Sequence, residues 1–341
     1  MSPASRHEDL DRAKAVAILL VVFGHIVARD PPPGNDWYVL LKFGIYQFHM
    51  PFFMYLSGYV TFLSGAARVA PPRWPGLISR RVSRLLVPFF IFGLAIIAGK
   101  LLAASYLYVD NPVASVGSAL LNLVWHTDDS AAHSVWYVAV LFIECIVTPP
   151  LLYLLRGRTS LLLAVAAVIY FLPIPHRVYI DEFAEFYVFF VLGGVAAEAG
   201  AGWLRRLDEW AWLWFGVLGA ALAATYWALA AGWIHIDDPR QTATMLICGV
   251  ASIPAVHALV RRRPLARSAL LLSLAYYTFV IYLLNTPWIG FVKALALKVM
   301  PWDGRNFLLF APLLMLAGVF GPILTKQLIL RRVPVLDRMT Q

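Results

Sequence analysis

Ten stretches of mostly apolar residues, each about 20 residues long, divide this chain of 341 residues. An α-helix needs about that length to cross the hydrocarbon core of a bilayer. The composition agrees, because 61% of the residues are hydrophobic, only 14% are charged and the mean hydropathy is +0.72. We therefore expect an all-α polytopic membrane protein, a bundle of about ten transmembrane helices that forms one domain over residues 1–341. The stretches lie at 13–29, 43–64, 85–108, 134–155, 159–175, 183–200, 210–232, 241–260, 269–291 and 306–329.

Basic residues gather in alternate connections between these stretches. The connection at 68–84 carries five arginines and that at 261–267 carries four, whereas those at 29–36 and 126–133 are mixed or acidic. Cytoplasmic loops carry an excess of Lys and Arg, so the pattern predicts both termini in the cytoplasm, with the helices in the inner (plasma) membrane. The net charge of +9 has the same explanation and does not indicate nucleic-acid binding.

Two histidines lie at positions where a membrane helix rarely carries them. His25 follows Lys14 by eleven residues, which is about 16 Å along a helix and returns to nearly the same face. Lys14 is then expected at the cytoplasmic end of the first helix and His25 in its outer half. His49 begins the next helix, which runs in the opposite direction, so it is expected at a similar depth. An interhelical hydrogen bond explains a single intramembrane histidine as well as function does, but the pair favours a functional site.

Two further polar residues fall inside apolar stretches. Glu144 is the clearest intramembrane acid, and a structural hydrogen bond or ion pair explains it as well as a chemical role does. Asn285 lies towards the outer end of the ninth stretch, where an amide is more typical of contacts that hold helices together. His133 and Trp136 are expected at the outer mouth of the helix that carries Glu144.

Three arginines stand at the expected cytoplasmic entrance of the third stretch. Arg81 and Arg84 are three residues apart and so share a helix face, with Arg80 beside them. The guanidinium fork binds phosphate well, yet such clusters also anchor helices beside anionic lipid. Composition alone does not separate these two roles.

Common motifs of other enzyme classes are missing from the sequence. It has no P-loop, no GxGxxG, no GxSxG and no HExxH, and its two cysteines form no CxxC pair, so we expect neither a nucleotide-driven motor nor a metal site. The first apolar stretch precedes no small-residue cleavage site, so it is interpreted as a retained helix rather than a signal peptide.

Five segments in order resemble the acyltransferase 3 family of integral-membrane O-acyltransferases, which includes fucose O-acetylase-like enzymes. Each segment alone is a weak signal, but the ordered set is specific and spans most of the chain. The segments are the Lys14-x10-His25 pair, "FHMPFFMYLSGYV" (48–60), "RRVSRLLVP" (80–88), "HSVWYVAVLF" (133–142) and "LAYYTFVIYLLNTP" (274–287).

The resemblance implies a donor, an acceptor and residue roles. The donor would be acetyl-CoA or another acyl-CoA taken from the cytoplasm, and the acceptor a hydroxyl of a glycan or lipid-linked sugar, as in polysaccharide modification. No metal is implied, and the oligomeric state stays open, a homodimer included. Lys14, Arg80, Arg81 and Arg84 would bind the donor; His25, His49 and Glu144 would be catalytic, with His25 as base or acyl carrier; Ser57, His133, Trp136, Tyr282 and Asn285 would contact substrate.

One position departs from the family pattern. Asn285 occupies the place of a family histidine, and an amide forms hydrogen bonds but does not take up a proton. This substitution argues against Asn285 as a proton acceptor and leaves the Lys14–His25 pair untouched.

Two other functions remain open at this point. A proton-coupled transporter or flippase of a small polar solute would use the intramembrane histidines as a proton relay, but it leaves the arginine group unexplained. The second function is that of a scaffold, served by an inactive member of the family.

Overall fold

The computed structural model describes residues 7–27, 31–236 and 241–340, and these residues form helices and turns with no β-strand among them. The acidic and mixed connections at 29–36 and 235–240 lie partly outside the described residues. The α-helices are α1 (Glu8–His25), α2 (Asp36–Tyr46), α3 (His49–Leu63), α4 (Trp74–Arg81), α5 (Val87–Ala103), α6 (Val116–Val124), α7 (Trp136–Leu154), α8 (Thr159–Tyr170), α9 (Ile180–Glu209), α10 (Ala211–Ala230), α11 (Gln241–Arg261), α12 (Ala269–Ala296), α13 (Gly304–Leu328) and α14 (Pro334–Met339).

Seven helical segments of the described chain are long and apolar enough to cross a membrane. The expected all-α polytopic membrane protein is thereby confirmed, while the count of about ten and the cytoplasmic termini stay predictions. The seven are Pro71–Ala103, His133–Leu154, Ile180–Glu209, Ala211–Ala230, Thr242–Arg261, Ala269–Ala296 and Gly304–Arg332.

The other three predicted spans fall on shorter or more charged helices. Helix α1 has three acidic residues in its first turn, α8 has only 12 residues, and the stretch predicted at 43–64 is divided between α2 and α3. The division lies at Phe48, whose φ of −144° and ψ of −19° leave the helical region. Tyr46 therefore ends one helix and His49 begins the next, so two polar rings meet at a helix break.

The centre of the bundle is built from α1, α3, α9 and α12. Helix α1 packs on α12 and α3, α9 packs on α3, and α13 covers the outer side of α12. Their facing residues form one continuous apolar core that includes Ile18, Phe52, Phe190 and Ile281. Helix α10 lies at the periphery and buries only Ala211 and Thr225, as expected for a helix that faces lipid.

Helices α3 and α9 touch backbone to backbone at two glycines. A Cβ atom built on Gly58 would lie 1.8 Å from the carbonyl oxygen of Phe190, and one built on Gly193 would lie 2.1 Å from that of Tyr55. Small residues permit this close approach between membrane helices. The crossing holds α3, and hence the helix break before His49, against the core.

The crossing predicts a large effect for one added methyl group. Gly58→Ala is expected to destabilise the protein by about 1–3 kcal/mol or more, because backbone atoms of α9 must move to admit the Cβ. Thermal unfolding in detergent should show a melting temperature several degrees below that of the unaltered protein. Gly216→Ala on α10 is the control, since nothing lies within 4 Å of that position. Equal melting temperatures for the two variants would contradict the close crossing.

Candidate functional site

His25, the last residue of α1, is paired with Asn285 in the middle of α12. Its Nδ1 lies 2.7 Å from Asn285 Oδ1. The Asn285 amide nitrogen donates to the carbonyl oxygens of Ile281 at 2.9 Å and Tyr282 at 2.8 Å, which assigns the amide orientation. The Asn285 oxygen therefore accepts from His25, so Nδ1 carries the proton and the neutral ring keeps its lone pair on Nε2.

A cavity of about 600 Å³ opens beside this pair, and His25 is half-buried in its wall. The segment between α5 and α7 forms one side of the cavity, and α5 and α12 form the others. His133 and Trp136 line the same space, so the structure brings two of the predicted substrate contacts to His25. Further polar or aromatic residues of the wall are Tyr46, Lys100, Tyr108, Asp110, Asn111, Asp128, Ser130, Ser134 and Thr286.

His133 and Trp136 are held in place by the turn that precedes α7. His133 Nδ1 lies 3.0 Å from the carbonyl oxygen of Thr127 and must donate to it, which leaves its Nε2 lone pair unused by this bond. The Trp136 ring packs on Phe186 with centroids 5.0 Å apart. An imidazole and an indole thus face the cavity from fixed positions.

The cavity also holds charged residues that sequence reasoning missed. Lys100 Nζ donates to the carbonyl oxygens of Asp110 and Asn111 at 3.0 and 3.3 Å. Lys293 does not line the cavity, but it pairs with the cavity residue Asp110 at 3.0 Å and lies 4.4 Å from the centroid of the Trp302 ring. Lys100 could have been found from the sequence, because it lies inside the apolar stretch at 85–108, where a charged side chain is costly.

His49 lies behind the cavity wall rather than in it. Its ring stacks on Tyr46 with centroids 4.7 Å apart, and its Nδ1 lies 3.0 Å from the carbonyl oxygen of Ile45. The Tyr46 hydroxyl donates to the carbonyl oxygen of Gly24 at 3.0 Å, next to His25. Tyr46 therefore stands between the two histidines that the sequence paired.

Ser57 and Tyr282 form a separate hydrogen-bonded group with Tyr137. The Ser57 hydroxyl lies 2.9 Å from the carbonyl oxygen of Phe53, to which it donates, and 2.7 Å from the Tyr137 hydroxyl. The backbone N–H of Tyr137 donates to the Tyr282 hydroxyl at 3.0 Å. These residues tie α3, α7 and α12 together, and neither Ser57 nor Tyr282 lines the cavity.

Glu144 is completely buried in the middle of α7. Neither carboxyl oxygen has a hydrogen-bond partner among the described residues. It follows Trp136 by eight residues, about 12 Å along the helix, and it is not part of the cavity wall.

The three arginines occupy a distorted helical segment ahead of α5. Residues 82–86 form a π-helical turn between α4 and α5, a distortion frequent at functional sites. Arg80 and Arg84 are exposed and Arg81 is half-buried, and none forms a hydrogen bond or ion pair within the described chain. Lys14 differs, because its Nζ lies 3.6 Å from Asp11 Oδ1 on its own helix.

Comparisons with known proteins place these residues in a family. Nodulation protein NolL from Mesorhizobium japonicum is 28% identical over 223 residues, which cover 64% of this chain and 55% of that protein. The match thus spans about half the length of this relative, and no solved structure matches the chain. A family model described as an acyltransferase domain matches residues 7–326. Because that match covers nearly the whole chain, the chain belongs to the acyltransferase 3 family of membrane acyltransferases.

Proposed function

We propose that this protein is an O-acyltransferase of the plasma membrane that moves an acyl group, preferentially acetyl, from cytoplasmic acyl-CoA to a hydroxyl of a cell-envelope or exported glycan. The observation that carries the proposal is the Nε2 lone pair of His25 at the wall of a cavity, in a chain of this family. A neutral imidazole with a fixed tautomer is suited to remove a proton from a hydroxyl.

The cavity wall supports a sugar as the acceptor. Aromatic faces at Tyr108 and Trp136 alternate with hydrogen-bonding groups at Asp110, Asn111 and His133. Sugars present apolar C–H faces edged by hydroxyl groups, so such a wall matches their chemistry. A volume of about 600 Å³ lies in the range of small-molecule sites.

In the proposed reaction, the Nε2 lone pair of His25 serves as the base. His25 Nε2 takes the proton of the acceptor hydroxyl as its oxygen attacks the thioester carbonyl carbon. The C–S bond then breaks, the carbonyl re-forms as an ester, and the imidazolium returns the proton to the departing CoA thiolate. In a second form of the reaction, Nε2 itself attacks the thioester carbonyl carbon, the C–S bond breaks and CoA leaves as the thiolate. The acceptor hydroxyl then attacks the acyl-imidazolium, the bond from the acyl carbon to Nε2 breaks, and the hydroxyl proton passes to the thiolate. Asn285 orients the ring in both.

The other residues predicted as catalytic or substrate-binding do not touch the reacting atoms in this proposal. His49 holds Tyr46 in the cavity wall by stacking, and the group of Ser57, Tyr137 and Tyr282 fixes α7 against α3 and α12. Glu144 lies on α7, which begins at the cavity wall with Trp136 and also packs on residues 82–86, and its unpartnered carboxyl is suited to hold a proton.

Helix α5 supplies a route from donor to cavity. Its start follows the segment that holds Arg80, Arg81 and Arg84, and its middle lines the cavity at Phe92. Phe92 follows Arg84 by eight residues, about 12 Å along the helix. The long pantetheine arm of a CoA bound by its phosphates at the arginines would run beside α5 towards His25.

Arg81→Ala and Arg84→Ala are each expected to weaken acyl-CoA binding by about tenfold or more, since each removes a charge-assisted bond to phosphate. The acceptor KM should change much less. Titration of purified protein with an acyl-CoA, together with KM values for both substrates, measures the difference.

Arg205→Ala is a matched control, because that exposed arginine lies on α9 and already faces Glu209. Equal loss of donor and acceptor affinity in the Arg81 and Arg84 variants would show that these arginines only anchor the helix. Movement of a solute with a proton gradient, in protein that binds no acyl-CoA, would instead favour the transporter function.

A further inference from the structure

Three side chains from separate segments converge beside the cavity mouth. His176 Nδ1 lies 3.3 Å from Asp128 Oδ2 and 2.6 Å from Asp181 Oδ2. All three ligand atoms lie within 4.8 Å of one another. Asp128 precedes α7 and also lines the cavity, His176 lies in the connection between α8 and α9, and Asp181 is in the first turn of α9.

A buried carboxyl group lies beside this cluster. Glu182 is 8% exposed, and neither of its carboxyl oxygens has a hydrogen-bond partner in the described chain. It follows Asp181 on α9, and the two carboxyl groups interact. Asp181 Oδ1 is also buried without a partner. Buried carboxyl oxygens without a donor are costly unless something compensates them.

We propose that Asp128, His176 and Asp181 bind one divalent cation of the Zn²⁺ or Mn²⁺ type, beside the buried carboxyl of Glu182. A mixed set of one imidazole and two carboxylates suits these ions, whereas Ca²⁺ and Mg²⁺ prefer oxygen alone. Ligand atoms 2.0–2.1 Å from a tetrahedral ion lie about 3.3 Å apart, which is the distance from His176 Nδ1 to Asp128 Oδ2. The distance from His176 Nδ1 to Asp181 Oδ2, which is 2.6 Å, would increase by about 0.7 Å when the ion binds.

The cation would join the turn that carries Asp128, which lines the cavity, to the start of α9. The turn that carries Asp128 continues into His133 and Trp136, both of which face the cavity. The N-terminus of α9 carries the other carboxylates. A bound ion therefore holds the turn against α9 and fixes the position of the two cavity residues that follow Asp128.

This site departs from the expectation that no metal binds. Asp128 precedes His176 and Asp181 by about 50 residues in sequence, so no local spacing pattern joins the three ligands. The proposal does not depend on acyl transfer, because it concerns binding by residues that take no part in the chemistry.

The site is tested by measuring how the whole chain binds metal. The protein is purified in detergent without a histidine tag and stripped with a chelator. Equilibrium dialysis against Zn²⁺ and Mn²⁺, followed by metal analysis, measures stoichiometry and affinity. The unaltered protein is expected to bind one ion, with a rise in melting temperature that the chelator reverses. His176→Ala and Asp181→Asn should each weaken binding by about tenfold or more.

Asp129→Asn is the matched control, since it changes a neighbouring exposed acid of the same turn that is outside the cluster. It should bind as the unaltered protein does. His176 is 72% exposed, so its replacement is not expected to unfold the chain. Absence of binding to the unaltered protein, or equal affinity in the His176 and Asp181 variants, would overturn the proposal.

Discussion

Replacing His25 with alanine is expected to lower the rate of acyl transfer by about 10²- to 10⁴-fold, the usual contribution of a positioned general base. The side chain is half-buried and faces a cavity, so its loss creates little new void. Donor binding at the arginine segment should be retained. Transfer of label from acetyl-CoA to candidate glycans by purified protein measures the effect.

A second variant separates the chemistry of His25 from its packing. His25→Gln keeps a polar group that can donate to Asn285 but has no basic nitrogen, so it should be as inactive as His25→Ala. His126→Ala is the matched control, because that histidine belongs to the same connection as His133 without lining the cavity. Undiminished transfer by His25→Ala would rule out the proposed mechanism.

Asn285→Leu is expected to reduce kcat by on the order of 10²-fold while KM for the donor changes little. Leucine has the same branched heavy-atom skeleton as asparagine but accepts no hydrogen bond. The His25 ring would then lose the acceptor that keeps its proton on Nδ1, and Nε2 would no longer be reserved as the base. Steady-state kinetics of purified variants give kcat and KM separately.

Asn285→Asp distinguishes positioning from a structural role. The carboxyl oxygen still accepts from His25, but the bonds to the carbonyl oxygens of Ile281 and Tyr282 are lost. Recovery of most of the lost kcat by Asp, relative to Leu, is the expected result. Equal loss in both variants would mean that Asn285 matters only for holding α12 in shape.

The hydrogen bond between His25 and Asn285 gives a role to Asn285, which stands where the family pattern has a histidine. An amide takes up no proton, and the sequence alone therefore argued against a catalytic part for Asn285. In the structure its oxygen is the acceptor that sets the His25 tautomer. Asn285 is a positioning residue in this account, and the proton acceptor is His25.

The all-α membrane fold follows from hydropathy because each span is a local property of about 20 residues. The break at Phe48 could not be predicted in this way, since the apolar stretch at 43–64 continues through it. The available signal was Pro51, which lies in the first turn of α3, where a helix tolerates proline. Its position depends on how α2 and α3 pack on other helices, which hydropathy does not report.

The positions of the site residues follow only partly from the sequence. Helical spacing predicts His25 in the outer half of the first helix, and the structure ends α1 at that residue, where His133 and Trp136 line the same cavity. Depth alone could not reveal that Tyr46 separates His25 from His49. Nor could it join Lys100 and Asp110 to the wall, because contacts across the bundle depend on side-chain packing between distant segments.

An acyl group delivered along α5 reaches the acceptor hydroxyl beside His25 in the mechanism that we propose. A cryo-EM structure of the protein with a non-hydrolysable acyl-CoA analogue tests this most directly. We expect phosphate density at Arg80, Arg81 and Arg84, and an acyl carbon in the cavity close enough to His25 for a hydroxyl to lie between them, with that hydroxyl about 3 Å from Nε2. An analogue whose phosphates avoid the arginines, or whose acyl group ends outside the cavity, would contradict it.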